Sequence, residues 1–319
     1  ILCCVMNKAV LHDHLDGGLR PDTARELALA TNYGPLLEIE NPSEFFDRSA
    51  CESLEEYLEA FTHTIALMQT YDNLERISFE AAEDMHNNGI TLYESRYAPF
   101  FSVNEDLSPV QVLNAINSGF KQAENLYGIQ SGLILCGMRH DAKNVKLVEE
   151  LAIQNKEKII GFDIAGPELT FRPNLFSDTF SNIAHSGINI TIHAGEGDNV
   201  ESIQDALDNG AKRIGHGVRI IEDIDLVNHK FGKTASYILD NEIPLEICIT
   251  SNLHTNMYKD AENHPISTLV KLGFQVSLNT DNRLMSNTSI NKEIKVAKQS
   301  GVVDPEELLV KSASYSFLN

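Results

Sequence analysis

Eight short strand-like runs, separated by helix-like stretches, predict an α/β fold: a TIM (β/α)8 barrel with extra helices inserted after strand one. Two further observations agree. A length of 319 residues suits one such barrel, and no Pro-, Gly- or Ser-rich linker divides it, so 1–319 is expected to be a single domain. The residues able to carry chemistry also gather where the strand-like runs end, the face on which barrels of this kind place their active sites.

Strand one is 8–11, ending in His12-Asp13-His14-Leu15-Asp16-Gly17-Gly18. A helix at 21–31 opens on Pro21, whose fixed φ suits a first turn. Residues 43–88 read as long and helical. There Leu54, Tyr57, Leu58, Phe61 and Ile65 keep an i, i+3, i+4, i+7 stripe that ordinarily packs into a core. The alternating run 91–97 is strand two; a helix at 108–126 leads to strand three at 130–136, and another near 145–155 to strand four at 159–164. Strand five, 187–193, opens on Gly187 and runs into His193-Ala194-Gly195-Glu196-Gly197. A helix near 200–209 precedes a minimal strand six at 213–216. Residues 226–241 read as helix, 244–250 as strand seven, 264–272 as helix, 274–279 as strand eight and 304–317 as a final helix.

Composition narrows the partners. Lys plus Arg is 25 against 46 Asp plus Glu, and the resulting charge of −21 repels phosphate backbones and anionic lipid, so neither nucleic acid nor a membrane surface is expected. A small neutral substrate remains compatible. Cys3, Cys4, Cys51, Cys136 and Cys248 are scattered without a C-x-x-C pair, which indicates neither a disulfide framework nor a thiolate zinc site. No apolar run is long enough to span a bilayer, and 1–6 is too short and lacks the basic flank of a signal peptide. These features point to a reduced, cytoplasmic enzyme with no obligate protein partner.

The strand ends hold a recurring set of groups. His12 and His14, two apart, face the same way from an extended segment. His193 and Glu196 follow strand five, His216 ends strand six between Gly215 and Gly217, and Thr280-Asp281-Asn282 follow strand eight. Three neutral imidazoles and a carboxylate suit zinc, with Fe(II), cobalt or manganese as looser fits. Strand four ends in Asp163-Ile164-Ala165-Gly166-Pro167-Glu168, without a lysine to bridge two ions, so one metal is expected.

A metal with an open position brings the pKa of a water towards neutrality, to about 7 for zinc. His216 could orient or deprotonate that water, and Glu196 could act as the acid if its surroundings keep it protonated. Asp281 can bind the metal through one oxygen and the water through the other. The glycines at 17–18, 166, 195–197 and 215–217 allow a planar ligand close to the backbone, or simply form tight turns.

These motifs together resemble the adenosine deaminases of the amidohydrolase superfamily. The resemblance rests on LHDHLDGG (11–18), SLEEYLEAF (53–61), YESRYAP (93–99), GFDIAG (161–166), HAGE (193–196), RIGHG (213–217), TSN (250–252) and SLNTDN (277–282). It implies one zinc held by His12, His14, His193 and Asp281, with His14 also reaching the substrate. It further implies that Glu196 protonates the purine ring nitrogen and that His216 positions the attacking water. Gly166 would meet the opposite ring nitrogen, Asp16 the ribose 5′-hydroxyl, and the helical 43–65 would form an apolar lid. The implied reaction is hydrolytic deamination of adenosine and 2′-deoxyadenosine to inosine and ammonia, in purine nucleoside salvage.

One position departs from the common pattern. Where many members have a second aspartate after the metal-binding one, this chain has Asn282, whose amide can still donate to the purine N7. The carboxylate of Asp16 repels a 5′-phosphate and so argues against AMP-type substrates. The rival readings are a deaminase of adenine or an aminofutalosine-like compound, and a catalytically silent zinc-binding barrel. A silent zinc site needs neither Glu196 nor His216. A nucleic-acid cytidine deaminase is excluded by the missing H-x-E…P-C-x-x-C pattern.

Overall fold

The computed structural model describes residues 6–51 and 54–319, with backbone alone at 54–56. The apolar start before Met6, Cys3, Cys4 and Ser53 lie outside these residues, as does the side chain of Leu54. Eight parallel strands form one sheet in chain order: Ala9–Val10, Leu92–Tyr97, Gln130–Met138, Gly161–Ala165, Asn189–Ala194, Arg213–His216, Leu245–Ile247 and Val276–Leu278. The ring closes through a parallel bridge between Asp13 and Asp281, where His14 N–H donates to the Asp281 carbonyl (2.8 Å) and Asp281 N–H to the His12 carbonyl (3.0 Å). The Asn279 side-chain oxygen adds to this seam, accepting from the N–H groups of Leu11 (2.8 Å) and His12 (3.1 Å). This is the expected (β/α)8 barrel, with the extra helices placed after strand one.

Local chemistry accounts for the helices that match. Pro21 opens Pro21–Thr31, and Asn32 ends it in the left-handed region. Ser108 and Gln111 form a capping box on Pro109–Tyr127. The stretch 43–88 is not one helix but several: Pro42–Phe46, Leu54–Glu59, Phe61–Leu67 and Tyr71–Asn87. Side chains compete with the backbone at the breaks, Asp47 accepting from Ser49 N–H (2.8 Å) and Thr70 from Asn73 N–H (3.2 Å). Residues 226–232 are not helical either. Asp225 binds the N–H groups of Val227 (3.1 Å) and Asn228 (3.0 Å), turning a small antiparallel ribbon of Ile224–Asp225 and Lys230–Phe231 before the helix Lys233–Asp240. Strand seven is shorter than expected, because Ile249–His254 is already helical. Helices Ser177–His185 and Ile290–Gln299 were not anticipated, and the last helix stops at Ser312.

Strand two alternates in polarity but not in burial, since all six residues of Leu92–Tyr97 are buried. Glu94 and Arg96 belong to an ionic network in the interior of a sheet covered on both faces. Glu94 meets Arg213 (2.6 Å), Arg213 meets Glu246 (2.6 Å), and Arg96 joins Glu246 (2.8 Å) to Asp163 (2.6 Å). Arg96 and Arg213, the two cations, are themselves fully enclosed, so each charge is neutralised at contact. This polar floor lies beneath the strand ends. Among the described residues no helix is long and apolar enough to cross a membrane.

Candidate active site

The three histidines expected at the ends of strands one and five converge. Ring nitrogens of His12, His14 and His193 lie within 4.8 Å of one another, and Nε2 of His14 is 3.2 Å from Nε2 of His193. Asp281 Oδ1 approaches the Nε2 atoms of His12 (3.6 Å) and His14 (3.5 Å). Between the two strand-one histidines, Asp13 points the other way and binds Tyr93 (2.5 Å), Thr280 (2.8 Å) and Arg283 (2.9 Å). That alternation is what the H-x-H spacing requires of an extended segment.

Carboxylates behind the rings fix how they point. His12 Nδ1 is held by Glu246 (2.9 Å) and His193 Nδ1 by Asp163 (2.8 Å), leaving both Nε2 atoms aimed at the common centre. Burial opposes the charge on Asp163 and Glu246, yet their partners keep both well below the usual carboxylate range: the His193 ring and the Arg96 guanidinium for Asp163, Arg96 and Arg213 for Glu246. Burial pushes His14 and His193 down, towards the neutral form that a metal takes. His12, equally buried, is held up by Asp281 and Glu246 beside it. Its Nε2 is buried with no hydrogen-bond partner among the described residues, which an ion at the centre would satisfy. The donor set therefore fits a single metal. Cys248 also lies near His12 and Asp281, but its Sγ faces the Glu246 carbonyl (3.5 Å) and burial keeps the thiol protonated.

Glu196, His216 and Asp281 form a second cluster next to the first. His216 Nε2 is 3.5 Å from Glu196 Oε2 and 3.9 Å from Asp281 Oδ2. Burial, then Asp281 and Glu168, push the Glu196 carboxyl well above its ordinary pKa, which keeps it protonated. His216 and Asp281 have φ of 58° and 56°, a left-handed backbone that non-glycine residues adopt at a cost of roughly 1 kcal/mol or more. Glu168 holds the turn carrying Glu196. Its two carboxylate oxygens accept from the N–H groups of Gly195 (2.7 Å), Glu196 (3.0 Å), Gly197 (2.7 Å) and Asp198 (3.2 Å).

Both clusters open on a cavity of about 300 Å³. His14, Asp16, Gly166, Glu196, His216, Asp281 and Asn282 line one side, and Tyr57, Leu58, Phe61 and Ile65 the other. The helical stripe thus lines the cavity rather than only filling core. Burial raises Asp16 to about 7, and its Oδ1 is buried without a partner among the described residues. Gly166, at φ 100°, brings its backbone to the cavity wall. Gly17 and Gly18 serve neighbouring side chains instead: a Cβ there would sit 2.1 Å from Asn282 Oδ1 and 2.5 Å from Arg283 Nη2. Asn282 gives one amide hydrogen to Asp281 Oδ1 (2.9 Å).

Sequence reasoning did not single out Asp163, Glu246, Arg96 or Glu168. A charged residue inside an apolar strand run, as in Phe162-Asp163-Ile164 and Leu245-Glu246-Ile247, was the available signal. Nothing local identifies its partners.

The comparisons with known proteins agree with this geometry. The profile of the family described as Adenosine deaminase matches residues 7–317. Adenosine deaminase 1 of Streptomyces coelicolor is 43% identical over 300 residues, covering 90% of this chain and 76% of that protein. Two solved structures share the fold at 21% identity: an adenine deaminase from Arthrobacter aurescens (TM-score 0.87, covering 97% of this chain and 93% of that one) and a Zn-bound amidohydrolase from Burkholderia ambifaria (TM-score 0.85, 99% and 86%). By the extent and level of these matches, the chain belongs to the adenosine deaminase family of hydrolytic deaminases.

Proposed function

We propose that this protein deaminates adenosine, and 2′-deoxyadenosine, to inosine and ammonia with one zinc ion per chain. The observation that carries the reading is the Glu196 carboxyl, held protonated on the cavity wall beside His216 and Asp281. His12, His14, His193 and Asp281 would hold the zinc. When bound, zinc lowers the pKa of a water towards neutrality, to about 7.

The chain's own groups do the rest. Asp281, deprotonated by its surroundings, has a second oxygen free to accept a hydrogen bond from the attacking water. Glu196 delivers its proton to the purine N1 as oxygen adds to C6, drawing electron density away from that carbon. His216 orients the oxygen, and the proton that Asp281 takes from the water passes to the amino nitrogen. Ammonia leaves C6 with the bonding pair, and the proton of the added hydroxyl returns to Glu196. The Gly166 backbone faces N3 of the ring, and the second amide hydrogen of Asn282 serves N7. The lid residues Leu58, Phe61 and Ile65 exclude water from the purine.

Asp16 supports a nucleoside over a free base. Its buried oxygen, without a partner among the described residues, calls for a donor, and a nucleoside brings a 5′-hydroxyl that adenine lacks. Ultraviolet assays of adenosine before chelation, after it and after zinc re-addition test the proposal. Turnover that stops with the chelator and returns with zinc supports it; no spectral change under any condition refutes it. Competition among adenosine, 2′-deoxyadenosine, adenine and an aminofutalosine ranks the substrates.

A further inference from the structure

His216 is a neutral ring whose tautomer decides what it can do to the attacking oxygen. A chain of buried groups leads away from it. Its Nδ1 lies 3.2 Å from Asn252 Nδ2, Asn252 Oδ1 lies 3.2 Å from His264 Nε2, and His264 Nδ1 lies 3.2 Å from the backbone nitrogen of Ile266. Asn252, His216 and His264 are 0%, 1% and 3% exposed, so water does not intervene. Asn252 also meets Met257 Sδ (3.4 Å) with its amide nitrogen.

The far end of the chain sets the direction of every bond. A backbone N–H only donates, so His264 Nδ1 must be an acceptor, and the ring proton must sit on Nε2. Burial keeps His264 neutral, its pKa pushed down to about 3. Nε2–H then donates to the Asn252 oxygen, which turns the amide nitrogen towards His216. His216 Nδ1 therefore accepts, and its proton lies on Nε2, the nitrogen facing Glu196 and Asp281. Reversing His216 would turn Asn252 over and set two donors against each other at His264 or Ile266. An unmade bond of that kind among buried groups is strongly disfavoured.

We propose that His264 and Asn252 are positioning residues that fix His216 as an Nε2–H donor to the attacking oxygen. This rests on the deaminase reading above and sharpens it: with Nε2 already protonated, His216 orients the oxygen and does not deprotonate it there.

The test reads the ring directly. In the zinc-loaded protein labelled with ¹⁵N-histidine, long-range ¹H–¹⁵N spectra, with His216 assigned by its loss in His216→Gln, should show a bare Nδ1 and a protonated Nε2. Asn252→Asp keeps the shape but offers only acceptors, so His216 should gain a proton on Nδ1. Its kcat for adenosine should fall on the order of 100-fold or more, while KM hardly moves and zinc content stays whole. His264→Phe frees Asn252 to turn over and should give both tautomers. A wild-type His216 protonated on Nδ1, or an unprotonated Nδ1 in Asn252→Asp, overturns the proposal. Absence of adenosine turnover with an Nε2-protonated His216 would instead count against the substrate and leave the relay standing.

Discussion

His193 Nδ1 shares Asp163 Oδ2 with Arg96: the imidazole lies 2.8 Å from that oxygen and the guanidinium 2.6 Å. One carboxylate thus aims a metal-facing ring and neutralises the buried cation beneath it. Asp163→Asn preserves the shape but loses the charge, and its zinc affinity should fall about 10- to 100-fold, as seen when such outer partners are removed elsewhere. Competition with a chromophoric chelator measures this. Unchanged affinity would mean that the ring needs no help in pointing.

The ligand assignment has its own signature. Wild-type stability should rise with zinc, by about 4 kcal/mol at a thousandfold excess over Kd. His14→Ala and Asp281→Ala should purify with little zinc and lose most of that thermal shift. A full complement of zinc in either variant removes that residue from the ligand set.

Glu196→Gln separates binding from chemistry. The amide fits the same space and leaves the histidines untouched, so zinc content should match wild type. Turnover should drop by about 10²- to 10⁴-fold, because the amide has no proton to give to the ring nitrogen. Normal kcat would end the acid role.

Glu168 tests whether the turn itself must be held. Glu168→Gln has one oxygen where two now accept four N–H groups, so some of them go unpaired. The expected loss is about 2–3 kcal/mol of stability together with reduced kcat and normal zinc. Unaltered melting and kinetics would show that the turn is rigid without it.

A pH dependence follows from Glu293, far from solvent, whose carboxyl accepts from Thr250 N–H (3.3 Å) and Thr288 Oγ1 (2.6 Å). Burial raises it from 4.5 to about 7. The folded chain therefore holds this proton more tightly than the unfolded one. Its stabilising contribution is complete below pH 4.5 and is lost as pH climbs to about 7, a change of about 3 kcal/mol. Glu293→Gln cannot titrate, so its stability relative to wild type should improve steadily across that window in denaturant titrations. A gap that stays constant with pH would contradict the shift.

How much of this was legible depended on sequence distance. Helix Pro21–Thr31 and strand Arg213–His216 carry their own signals, a proline start and a minimal Arg-Ile-Gly-His run following a helix, and both appear where expected. The H-x-H pair and the strand-end His193, His216 and Asp281 were readable because the barrel brings all strand ends to one face. The breaks within 43–88 were not, since they turn on which side chain binds which backbone N–H. Nor were the pairings of His12 with Glu246, 234 positions away, or of Asn252 with His216. A residue type suggests a role; only the fold supplies its counterpart.

The seam between strands one and eight joins Leu11 to Asn279 across 268 positions, and the residues flanking it are three of the candidate ligands. A ribosome delivers the imidazoles of His12 and His14 long before the carboxylate of Asp281. Until the last strand docks, the nascent chain can offer an ion only part of its coordination sphere. A complete coordination sphere therefore exists only once the ring has closed. Zinc would accordingly enter late, after backbone bonds such as His14 N–H to the Asp281 carbonyl have drawn the seam together, and a chain made without it would be a closed barrel awaiting its ion.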